Sequence, residues 1–94
     1  MEKDSINSLY DFWFSNEKIW FDATEDDDLL IRQKFGLLIH DNPNLDTIKN
    51  NKDSKELLTS ILLYDQIIRH VFRGNTEKIN ELSKFSFELS LFVL

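Results

Sequence analysis

Cysteine is absent from this 94-residue chain. That absence removes disulfides, thiolate nucleophiles and sulfur ligands for zinc. Proline occurs once, at Pro43, and glycine twice, at Gly36 and Gly74, so the chain lacks the turn residues that a β-sandwich or barrel uses in number. Positive charge is scarce as well. The net charge is −6, the isoelectric point is near 4.7, and no run of Lys and Arg occurs, which argues against nucleic acid or an anionic membrane as partner. No apolar stretch approaches the length of a membrane span. The start, Met1-Glu2-Lys3-Asp4, has neither the basic segment nor the apolar run of a signal peptide. A cytoplasmic location is the resulting expectation.

What is present points to helices. Hydrophobic residues make up 41% of the chain and aromatics 13%, too apolar a composition for a disordered segment. Asp4 or Ser5 is placed to cap a first helix with an apolar face of Ile6, Leu9, Tyr10, Trp13 and Phe14. Trp20 and Phe21 fall in a connector. Thr24 and Asp27 form an acidic capping box for a second helix, predicted to run to about Asp41 because Asn42 precedes Pro43. The acidic run Glu25 to Asp27 lacks the alternating ligands and glycine of a calcium loop, so capping is its simpler role. Leu45 and Ile48 suggest one short helical turn before a polar loop. Asp53 and Glu56 open a third major helix that Gly74 ends. That helix is apolar nearly all round, with a polar strip at Thr59, Gln66, His70 and Arg73, and is expected to be buried on several sides. Asn75 or Thr76 caps a last helix with one apolar stripe through Ile79, Leu82, Phe85, Leu89 and Val93. Phe87, Leu91 and Leu94 form a second stripe, a candidate surface for self-association or a protein partner.

The string Asp-x-x-Ile-Arg-x-x-Phe occurs twice, as Asp28, Ile31, Arg32, Phe35 and, 37 residues later, as Asp65, Ile68, Arg69, Phe72. Offsets of 0, 3, 4 and 7 fall on one helical stripe, so each copy sets an acid and an arginine among core-type side chains. The chain has only three arginines, and the third, Arg73, directly follows the second copy. Within each copy the spacing allows Asp and Arg to pair. The plain reading is structural, with the arginine stems packed and their heads bonded to neighbouring carbonyls. The sharper one is that Asp28, Arg32, Asp65, Gln66, Arg69 and Arg73 build a buried ion-pair network or an anion pocket. Placed beside Leu62 and Phe72, Arg69 is expected to contribute in the range of a buried pair, about 3 to 5 kcal/mol.

Catalysis has no positive signature, and no cofactor is called for. His40 and His70 lie far apart in sequence, without a second ligand at metal-site spacing, and read as ordinary imidazoles. Trp13 and Trp20 are candidates for a cleft, although aromatics at helical spacing are more commonly core.

Taken in order, Asp11-Phe12-Trp13-Phe14, Trp20-Phe21, Asp28-x-x-Ile31-Arg32-x-x-Phe35-Gly36 and the segment from Leu62 to Gly74 resemble the domain-of-unknown-function 924 family. The resemblance implies a fold similar to tetratricopeptide-like helical arrays. Asp65, Gln66, Arg69, Phe72, Arg73 and Gly74 match the family motif. Ile67 and Ile68 replace its Phe-Pro, so a proline kink is not expected here, and His70 replaces its Asn. Family members run to about twice this length and carry a further arginine-rich motif. The expectation is therefore one all-α domain over residues 1–94, the N-terminal half of a longer family domain, with four to five antiparallel helices. The role expected of it is that of a non-enzymatic interaction module. The alternative is an anionic-ligand or enzymatic pocket on Asp65, Arg69 and Arg73.

Overall fold

Side-chain caps decide where most of the helices begin. In the computed structural model, which describes residues 1–51 and 53–93, the chain runs through α1 (Lys3–Ser15), α2 (Glu17–Phe21), α3 (Glu25–Phe35), α4 (Leu45–Asn50), α5 (Ser54–Leu62), α6 (Ile68–Val71) and α7 (Thr76–Val93). The Thr24 hydroxyl accepts from the Asp27 amide while the Asp27 carboxylate accepts from the Thr24 amide, completing the capping box of α3. Asn44, Asp53 and Asn75 accept from backbone amides at the starts of α4, α5 and α7. Each cap satisfies amides that have no partner within the helix. The fold is all-α, and no strand occurs among the described residues.

Several boundaries differ from the sequence expectation. α1 starts at Lys3 with Glu2 before it, so Asp4 and Ser5 lie inside the first turn and do not cap it. Trp20 and Phe21 end the short helix α2 and are not in a connector. α3 stops at Phe35, well before Asp41. There the chain tightens into a 3-10 turn at Gly36–Leu38 and then becomes extended at Ile39, which lets the His40 amide donate to the Tyr64 hydroxyl at 3.0 Å.

The third major helix is irregular at its middle. A π-helical turn, Leu63–Ile67, joins α5 to α6, and the Ile68 amide donates to the Leu63 carbonyl five residues back. Proline is therefore not needed to disturb the helix at this motif. The wide turn lets the consecutive residues Ile67 and Ile68 both reach the core with no exposed surface. Gly74, with φ at +88°, reverses the chain in the left-handed conformation that glycine adopts without strain. α7 then folds back along α6, the π turn and α5, while α1 packs on α5 and α3 on α6. Leu9, Trp13, Ile31, Phe35, Tyr64 and Leu82 lie in the shared core with the two isoleucines.

The polar strip expected on the third helix is not uniformly solvated. Thr59 and His70 are buried, Gln66 is partly exposed, and only Arg73 is open. On α7, Leu82, Phe85 and Leu89 are buried, but Val93 is 57% exposed and leaves the stripe. Phe87 and Leu91, at 67% and 54% exposure, lie open with Phe92 and Val93. Leu94 lies outside the described residues.

Candidate functional site

The first copy of the repeat faces the second across a helix pair. α3 packs on α6, and on their contact line Asp28 and Ile31 point inward while Arg32 emerges at the rim. Asp28 is 8% exposed. A buried carboxylate needs partners, and it finds them on α6 and in the turn that follows it rather than four residues along its own helix. His70 Nδ1 lies 2.8 Å from Asp28 Oδ1, and Arg73 grips both carboxylate oxygens through Nε and Nη2, the latter at 3.1 Å. Arg32 instead donates from Nη2 to the Val71 carbonyl at 3.1 Å. A cavity of about 230 Å³ opens here, lined by Glu25, Asp28, Leu29, Arg32, His70 and Arg73.

The protonation states follow from the partners. Burial alone pushes the Asp28 carboxyl up, but hydrogen bonds from Arg73 and His70 outweigh it and hold the group below the ordinary carboxylate value. Asp28 is thus an acceptor at neutral pH, and His70 Nδ1 donates to it. The 3.4 Å approach of Arg73 Nη2 to the same ring nitrogen cannot then be a second hydrogen bond, because that nitrogen has no free lone pair. Arg73 is raised in turn by its bond to Asp28 and remains a fixed cation. On its far side His70 meets the Trp13 ring edge-on at a centroid distance of 5.9 Å.

The second copy does something else. Asp65 lies within the π turn and Arg69 follows it, with side chains 43% and 54% exposed and an Nη2 to Oδ1 distance of 3.9 Å. Arg69 Nε donates to the Asp65 carbonyl at 2.9 Å, and Gln66 Nε2 donates to Asp65 Oδ2 at 2.7 Å. These three residues form a local surface cluster outside the cavity. The expectation of a buried Asp65–Arg69 pair is corrected: the π turn carries the pair to the solvent side while Ile67 and Ile68 take the core. The Asp28–Arg32 pairing is corrected too, since Asp28 belongs to Arg73 and His70.

His70 is the residue that sequence reasoning passed over. Its spacing of three from Arg73 places both on one helical face, within reach of a single carboxylate opposite, and that was the available signal. Trp13 and Trp20 do not form a cleft. Trp13 is 5% exposed in the core, and Trp20 stacks on it at 5.9 Å while its Nε1 donates to the Trp13 carbonyl.

A family model described as "Bacterial protein of unknown function (DUF924)" matches residues 9–90. No curated protein and no solved structure matches the chain.

Proposed function

This chain belongs to the DUF924 family of bacterial proteins of unknown function, and since membership carries no activity with it, we propose a role from geometry: a non-enzymatic interaction module that associates through the end of α7. The observation that carries this reading is the cluster Phe87, Leu91, Phe92 and Val93, each more than half exposed on the last two turns of one helix. Apolar groups concentrated in this way on a small domain mark a surface that is covered in the working state. The occupant is a second copy of the chain. Antiparallel pairing of two α7 helices about a two-fold axis sets Phe87 of each copy against Leu91 of the other, which is a self-complementary arrangement. Sedimentation velocity tests it. The wild type is expected to sediment as a dimer, and Leu91→Glu as a monomer with unchanged helicity. A wild type that stays monomeric at high concentration ends this reading. A cytoplasmic setting and a tetratricopeptide-like kinship belong to the same proposal.

One observation favours a second reading. Arg32 and Arg73 both line the 230 Å³ cavity; Arg73 already neutralises Asp28, while Arg32 is exposed and uses only Nη2, on the Val71 carbonyl. A small carboxylate or phosphate fits that rim by forked contact. Selective binding to the folded state raises the melting temperature. Phosphate and citrate, compared at matched ionic strength, should therefore stabilise the wild type but not Arg32→Ala. Equal shifts in both proteins defeat this reading.

A further inference from the structure

A second, larger cavity lies away from the α3–α6 rim. It measures about 680 Å³ and is enclosed by the N-terminus, the segment after the 3-10 turn, α4 and the middle of the third helix. That volume is in the range of small-molecule sites, about 300 to 1,000 Å³, and such sites combine apolar walls with few polar groups. Leu38, Pro43, Ile48 and Leu63 supply the apolar walls.

Its polar groups are distinctive. Glu56 is only 4% exposed, an unusual depth for a carboxylate. It is held by an amide N–H of Asn51 and by the ammonium of Met1, whose nitrogen lies 3.2 Å from Oε1. One turn further along the helix, Ser60 also lines the cavity. It is 1% exposed, and its hydroxyl has no hydrogen-bond partner among the described residues. Thr59 beside it is also buried without a partner, but of the two only Ser60 borders the cavity, where a bound molecule can complete its hydroxyl. Tyr64, also in the wall, is different: its hydroxyl is already engaged by the His40 backbone.

We infer that this cavity binds a small primary amine with an apolar body, its ammonium on Glu56, a hydrogen bond reaching Ser60, and its body against Leu38, Pro43, Ile48 and Leu63. The charge balance selects the head group. Two carboxylates, Glu2 and Glu56, line the cavity against the single ammonium of Met1, so the balance is negative and disfavours a carboxylate head, whereas an ammonium meets the arrangement that Met1 already shows. The ligand's ammonium takes the place of the Met1 nitrogen at Glu56.

The probes are 4-phenylbutylamine, 4-phenylbutanol and 4-phenylbutyrate, which share one body and differ in head group, titrated calorimetrically into the full chain. The amine is expected to bind, the alcohol more weakly and the acid not at all. Glu56→Gln is expected to weaken amine binding by about tenfold or more, the loss of one charged contact. Ser60→Ala should weaken it several-fold while leaving unfolding unchanged or shifted upward, a combination that a purely structural serine does not give. Thr47→Trp, at an exposed wall position, should block the cavity in a folded protein and so decides the matter if Glu56→Gln does not fold. The inference is overturned if the acid binds as well as the amine. It is equally overturned if the amine binds Thr47→Trp at full strength, or if the wild type shows no amine binding near about 1 mM.

Discussion

Asp28 and Asp65 open two copies of the same string, yet one is 8% exposed and bound across a helix interface while the other has a side chain 43% exposed and answers to its own helix. The isoleucines three residues on do not diverge in this way, since Ile31 and Ile68 are both without exposed surface. The repeat therefore specifies core positions in both places but a buried pair between its own acid and arginine in neither. What separates the copies is the backbone beneath them. α3 is regular through Asp28, so Asp28 and Ile31 share the face that meets α6. Asp65 falls inside the π turn, where the helix widens and the acid rotates off the face that Ile68 keeps.

The largest effects are expected where the copies agree. Ile31→Ala and Ile68→Ala should each cost about 2 to 5 kcal/mol, because both empty a filled core position. Against a total of about 5 to 15 kcal/mol for a domain, either loss is severe. Urea unfolding followed by circular dichroism gives both values. A loss at Ile68 well below that at Ile31 would mean that the π turn is loosely packed and the two copies differ in the core as well.

The acids should then separate them. Asp28→Asn removes a charge-assisted contact to Arg73 and the orienting contact to His70, and a buried partner lost costs about 3 to 5 kcal/mol. Arg73 is 55% exposed and can rehydrate, so the expected loss is nearer about 2 to 3 kcal/mol. Asp65→Asn should cost at most about 0.5 kcal/mol. Acid sharpens the contrast. The folded state holds Asp28 below its ordinary value, so its contribution is complete above about pH 4 and disappears as the pH falls through that lower folded-state value. The stability gap between wild type and Asp28→Asn should narrow as the pH falls below about 4, and a gap that does not narrow would assign the loss to packing rather than charge.

The architecture was legible from the sequence because its signals are local. Thr24 with Asp27, Asp53 and Asn75 mark helix starts by side-chain chemistry that needs no partner element. Likewise, the apolar spacings along α1 and α7 name residues that the structure buries, among them Leu9, Trp13, Leu82 and Leu89. The site was legible only in part. Asp28 and Arg73 stood out by composition and repeat, but their pairing spans 45 residues and depends on how α3 seats on α6. His70 was missed because a lone histidine carries no signal until its facing carboxylate is known. The π turn was invisible for a related reason: it follows from fitting Ile67 and Ile68 into one core, which no spacing rule encodes.

Arg69→Ala is the smallest effect expected and the closest test of the comparison. Read from sequence, Arg69 is the partner of a buried acid. In the fold its guanidinium is half in water, its Nε spends one bond on the Asp65 carbonyl, and its distance to the carboxylate is near the limit of an ion pair. An exposed helical pair of this kind, acid before base at a spacing of four, contributes about 0.3 to 0.5 kcal/mol and is weakened by salt. Arg69→Ala should therefore move the urea midpoint only slightly, and the shift should shrink further in 1 M salt, where screening acts over about 3 Å. A double-mutant cycle with Asp65→Asn should return a coupling of the same small size. A loss of several kcal/mol would place the arginine inside the bundle, remove the distinction between the two copies, and make the π turn an incorrect account of why they differ.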